Sequence, residues 1–198
     1  MKTSLILLFV LLVGSHTNAQ QNNYAQALTI FQKQYVDSHE VVKGDDKQYI
    51  KFFKIKEKYK VPAKFERIND TTGFIMKTSG KESRKYFKYG ILAFTLDNIQ
   101  CHLTIYQSEQ LMQNAEYKDY LFVPFTDETS GEESYGGGRY LDFVFDDIKN
   151  GRLIIDFNKA YNPYCTYATG YNCPIPPREN HLPVKVKAGE MEYGKKHQ

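Results

Sequence analysis

Lys85-Tyr-Phe-Lys-Tyr-Gly-Ile-Leu-Ala-Phe-Thr95, then Leu96-Asp97-Asn98, then Ile99-Gln-Cys-His-Leu-Thr-Ile-Tyr106: this stretch decides the fold class. Both long runs are rich in β-branched and aromatic side chains, which fit a pleated, half-buried surface. Asp and Asn tolerate the left-handed backbone of a two-residue hairpin turn, so Asp97-Asn98 joins the runs as an antiparallel pair. In the second run Cys101, Leu103 and Ile105 share one face and His102, Thr104 and Tyr106 the other. Cys101 reads as a small core residue and His102 as an exposed strand residue.

Working outward, the period of two recurs. Upstream, Tyr59, Val61, Ala63 and Phe65 alternate with Lys58, Lys60, Lys64 and Glu66, the pattern of a half-buried strand. Gly73 to Lys77 and Tyr120 to Phe125 read as further short strands. Only Asn23 to Ser38 changes period: Tyr24, Leu28, Phe31 and Tyr35 recur at spacings of four, three and four, which puts them on one stripe of a helix. The chain is therefore expected to be mainly β: an antiparallel β-barrel or sandwich of about seven to nine strands with one N-terminal α-helix. Sixteen Tyr and thirteen Phe with no Trp suit such a sheet.

Residues 1–19 read as a signal peptide: Lys2, an apolar core from Leu5 to Val13, and Thr17-Asn18-Ala19 before a cut. Residues 20–198 then form a single domain, secreted or periplasmic, with no integral membrane segment once the signal is cleaved. The full chain carries a formal charge of +3, too balanced for nucleic-acid binding. Charge is uneven along it: Lys43 to Arg67 holds nine basic residues against four acidic, and Asp127 to Asp147 seven acidic residues and one Arg. These read as solvated faces, or as a cationic surface for an anionic glycan or lipid.

Chemistry-bearing residues crowd between Tyr135 and Glu190. Gly136-Gly-Gly138 lacks the phosphate-loop pattern and leads into a strand, so it supplies positive φ and close backbone approach before Arg139 instead of a nucleotide cradle. After it Leu141, Phe143 and Phe145 alternate with Tyr140, Asp142 and Val144, and Leu153, Ile155 and Phe157 with Ile154, Asp156 and Asn158. A hairpin with its loop over 147–151 would pair Phe145 with Leu153, Phe143 with Ile155 and Leu141 with Phe157. That register sets Asp142 opposite Asp156 and Tyr140 opposite Asn158; facing carboxylates need a cation, a shared proton or a ligand. Arg139 and Lys159 are the nearby cations.

Tyr161, Tyr164, Tyr167 and Tyr171 among Pro163, Pro174, Pro176 and Pro177 describe an ordered surface loop, or a platform for sugar or peptide. Cys165 and Cys173 favour a disulfide in an exported protein. A zinc site with His181, or Cys165 as nucleophile with His181 as base, are the alternatives.

Gly137-Gly-Arg-Tyr-Leu-Asp142, Asp156-Phe-Asn-Lys-Ala-Tyr-Asn-Pro163, Cys173-Pro-Ile-Pro-Pro177, Glu179-Asn180, Leu182 and Ala188-Gly-Glu190 resemble the signature of the domain-of-unknown-function 1684 family, as does Phe122-Val-Pro-Phe-Thr-Asp127 with Thr129-Ser-Gly131. The resemblance runs over about 86–190. It implies a fold and the location of a site, and no activity. The candidate cleft comprises Arg139, Tyr140, Asp142, Asp156, Asn158, Tyr161, Asn162, Glu179 and Asn180. Two readings follow: a binding or accessory domain for a small molecule, glycan or peptide, or an exported hydrolase dividing acid and base roles between Asp142 and Asp156. No metal or cofactor fingerprint accompanies either. A raised pKa on one aspartate beneath an open cleft would favour the enzyme; a closed, salt-bridged pair would favour the scaffold.

Overall fold

The computed structural model describes residues 23–195; the expected signal peptide, 1–19, lies outside the described residues. Helix α1 occupies 23–38. Eight strands follow: β1 (Lys60–Arg67), β2 (Phe74–Met76), β3 (Arg84–Leu96), β4 (Ile99–Ser108), β5 (Tyr120–Asp127), β6 (Arg139–Val144), β7 (Arg152–Asp156) and β8 (His181–Leu182). They form one sheet of order β6-β5-β4-β3-β1-β7, with β2 added to β3 and β8 to β5. Every pairing among β1 to β7 is antiparallel; only β8 runs parallel to its partner.

The β3–β4 hairpin turns where the sequence places it. Leu96 pairs with Ile99 across Asp97 (φ 49°) and Asn98 (φ 63°), the doubly positive geometry that Asp and Asn accept. The register shifts between Lys88 and Gly90, a bulge that bends β3. Gly90 fits there because a Cβ would lie 2.3 Å from the Phe65 ring.

The sheet curls into a half-barrel until its ends touch. Tyr140 of β6 and Tyr161, beyond β7, exchange two backbone hydrogen bonds of 2.9 and 3.1 Å. The concave face holds the main core, including Leu92, Leu103, Ile105, Leu121, Phe125, Leu153 and Phe157. Cys101 is buried in it as a free thiol. On the convex face Met76, Tyr86, Tyr106, Phe122 and Tyr140 form a second cluster, joined by Tyr120 and Tyr161.

The expected β6–β7 hairpin does not form. β6 pairs with β5, so Asp142 faces Phe122; β7 pairs with β1, so Asp156 faces Lys60. Phe145–Asp147 winds into a 3-10 turn, secured where the Val144 N–H donates to Asp147 Oδ2 at 2.8 Å. That turn removes the residues that should have continued the strand, and β1 offers β7 the same alternating apolar face. Asp142 and Asp156 are consequently not cross-strand partners. The Cys165–Cys173 disulfide is present, with Cα atoms 6.3 Å apart, which excludes both the zinc and the nucleophile alternatives for these thiols. Among the described residues no helix is long and apolar enough to cross a membrane.

Candidate functional site

β6 separates two environments because its side chains alternate. Leu141 packs in the concave core and Tyr140 in the convex cluster. Arg139, on the side of Leu141, is fully buried. Its Nη2 donates to Asp127 Oδ1 at 2.9 Å and to the Val186 carbonyl at 2.9 Å, and Nη1 donates to the carbonyls of Ala188 and Glu190. Asp127 also accepts from the backbone N–H groups of Val186 (2.7 Å) and Thr129 (3.1 Å). Arg139 thus clamps β5, β6 and the C-terminal segment from inside, and it does not face the cleft expected of it.

Asp142 lies on the opposite side, at the seam where the sheet closes. The seam is hydrogen bonded at Tyr140 and Tyr161, and beside that bridge lies a cavity of about 1060 Å³. Its wall takes Asp142 and Phe143 from β6, Ile154 and Asp156 from β7, Phe31 and Tyr35 from α1, and Tyr164 and Tyr171 from the Tyr/Pro loop. The Asp142 carboxylate accepts from Tyr161 Oη at 2.8 and 3.0 Å and from Tyr120 Oη. It keeps surface open to the cavity, yet crowding by its neighbours pushes its pKa above the ordinary carboxylate value, against the lowering effect of the two tyrosine bonds. Among the described residues no cation pairs with it.

Helix α1 closes the cavity because its apolar stripe is laid over the seam. Tyr24 Oη donates to both oxygens of Asp156 (2.9 and 3.0 Å). Asn158 holds that aspartate from behind, its N–H and Nδ2 donating to Asp156 Oδ1 while its Oδ1 accepts from Lys56 N. Tyr35 Oη donates to Glu190 Oε2 at 3.1 Å, Tyr167 Oη donates to Glu190 Oε1, and the Asn162 N–H donates to Oε2 at 2.9 Å. Glu190 is buried with no cation among the described residues on its carboxylate, and burial raises its pKa to about 7 despite these three donors. His39, 4% exposed, accepts from the Val42 N–H through Nδ1; burial and then Lys47 and Lys43 lower its pKa to about 4, so the ring is neutral at pH 7.

Of the residues singled out from the sequence, Tyr140, Asp142, Asp156, Tyr161 and Asn162 line this cavity. Asn158 supports it from below. Arg139, Glu179 and Asn180 are elsewhere. Glu179 accepts from Tyr106 Oη (2.8 Å) and pairs with Lys88 (2.8 Å), while Asn180 bridges β4 and β5 through Thr104 and Pro124. Tyr120, Glu190, His39 and the cavity role of Phe31 and Tyr35 escaped the sequence reading. Tyr35 could be found only as one of a helix stripe, and nothing local to His39 or Tyr120 marks either. Among the described residues no cluster of His, Cys, Asp and Glu is placed to hold a metal ion.

A family model described as "Protein of unknown function (DUF1684)" matches residues 47–191. The solution NMR structure of an uncharacterized protein of Haloarcula marismortui is similar, with a TM-score of 0.65 and 27% identity over 88% of this chain and 97% of that one. No curated protein matches the chain.

Proposed function

Because the chain belongs to the DUF1684 family, whose description assigns no activity, we propose its function from the site: an exported binding or accessory domain that holds a small ligand in the Asp142 cavity. One observation carries this reading. Asp142 is held by Tyr120 and Tyr161 and paired with no cation among the described residues, while opening onto a cavity of about 1060 Å³, a size typical of ligand pockets. Asp127, by contrast, is neutralised inside the fold by Arg139 and faces no cavity.

Thermal shift with small polar molecules, glycans and short peptides tests it. A ligand at about 100 times its Kd stabilises by about 2.7 kcal/mol, and Asp142→Asn should abolish that gain. Stabilisation by the same ligand in the variant would remove Asp142 from the site, and no stabilisation by any class would count against binding. The second reading, a hydrolase using Asp142 and Asp156, is favoured by the raised pKa of Asp142 at an open cavity that Asp156 also lines. Turnover of a bound ester or glycoside, lost in Asp142→Asn with binding retained, would select it.

A further inference from the structure

We propose that the ligand of this cavity is an organic cation, a molecule joining an ammonium group to a compact apolar body. The inference rests on the binding reading above and adds the ligand's charge. Four carboxylates line the cavity, Glu40, Asp142, Asp147 and Asp156, against two basic side chains, Arg84 and Lys159. Among the described residues none of the four is in an ion pair. Their hydrogen bonds come from neutral donors: Tyr164 for Glu40, Tyr120 and Tyr161 for Asp142, the Val144 N–H for Asp147, and Tyr24 and Asn158 for Asp156. Arg84 instead approaches Glu82, outside the cavity, at 3.9 Å. His39 is neutral and adds no positive charge.

The wall between these carboxylates is aromatic: Phe31, Tyr35, Tyr140, Tyr161, Tyr164 and Tyr171. Ring faces carry negative potential and attract cations, so rings and carboxylates favour the same ligand charge. The wall already seats one cation on a ring, Lys159 Nζ at 5.5 Å from the Phe31 centroid. Asn162, a fully buried wall residue, spends its N–H on Glu190 and its Nδ2 on the Met191 carbonyl, so its donors are engaged inside the protein and do not serve an anion in the cavity. An inorganic divalent ion fits less well, because the carboxylates do not converge as a ligand cluster.

The test is an NMR titration of the full chain with three probes of similar shape, benzylammonium, benzyl alcohol and benzoate, at equal ionic strength. Benzylammonium should bind at the cavity about ten times more tightly than benzyl alcohol, with benzoate weaker still, since one charge-assisted or cation–π contact is worth roughly a factor of ten. Asp142→Asn should bring the ammonium within about threefold of the alcohol, and Lys159→Gln, which removes a competing cation, should tighten ammonium binding about threefold. Acidification should weaken it as Asp142 takes up a proton. Equal or tighter binding of benzyl alcohol or benzoate at the cavity overturns the proposal while leaving the binding reading intact. If Asp142→Asn does not fold, a Lys159→Gln variant that binds benzylammonium no better than the parent overturns it. If no probe perturbs the cavity the proposal falls, and the binding reading then stands or falls on the wider thermal-shift series.

Discussion

Asp142, three residues from Arg139, and Asp127, its buried ion-pair partner, sit in the structure's two opposite environments, and they should respond oppositely to loss of charge. Asp127 is the acid that Arg139 neutralises, with both side chains fully buried. Asp127→Asn leaves that guanidinium without its counter-charge and should cost about 3–5 kcal/mol in denaturant unfolding. Asp142→Asn removes a charge with no cation to orphan among the described residues, while the amide oxygen still accepts from Tyr161. Its stability should stay within about 1 kcal/mol of the parent or rise. Glu190 gives a pH signature. Its folded pKa of about 7 lies above the ordinary carboxylate value, so the folded state holds a proton that the unfolded chain has released. Stability from this group is full below the unfolded pKa and is lost as pH rises through about 7, by about 3 kcal/mol in all. Urea unfolding across pH 4–8 should show this decline, and Glu190→Gln should flatten it.

At the scale of elements, alternation identified β1, β3, β4 and β5 within a few residues, because a sheet buried on one face writes its period directly into the sequence. What alternation cannot supply is the partner. β6 and β7 carry matching apolar faces, but so do β5 and β1, and the choice fell to the 3-10 turn at Phe145–Asp147 and to the closing bridge at Tyr161. The two aspartates therefore line one cavity without being the cross-strand pair expected of them. The glycine run was legible as a need for close approach, and Gly138 alone of its three glycines joins it to a positive φ: at φ 89°, a Cβ would lie 2.6 Å from both the Phe125 carbonyl and Pro176 Cγ, whereas a Cβ on Gly137 would meet the Tyr135 side chain, at 2.4 Å. Gly138→Ala should destabilise by about 2–4 kcal/mol from strain and overlap, read as a lower thermal midpoint. Gly136→Ala, with no atom closer than 3.5 Å and no positive φ, should be nearly neutral.

Over the whole molecule, the site exists because a sheet too short of strands to close fully is sealed by other means. The β3 bulge curls it, one backbone bridge joins its ends, and α1 and the disulfide-tied Tyr/Pro loop cover the remaining gap. Such a seam depends on contacts distant in sequence, Tyr24 with Asp156 and Tyr35 with Glu190, which is why the part of the cavity wall supplied by α1 was invisible to local reading. Reducing the Cys165–Cys173 bridge should cost about 2.5 kcal/mol by loop entropy and loosen this cover before the core, seen as faster amide exchange over 161–174 than in β3 and β4. If export follows the reading of residues 1–19, protein recovered from its host begins at Gln20, and a chain retaining Met1 would refute that route. The central claim, that the Asp142 cavity is where this domain meets its ligand, is tested most directly by chemical-shift mapping with a mixture of small cationic, neutral and anionic molecules. Perturbations should gather on Tyr35, Asp142, Tyr161 and Tyr164; saturable shifts confined to the basic Lys43–Arg67 stretch, with the cavity silent, would contradict it.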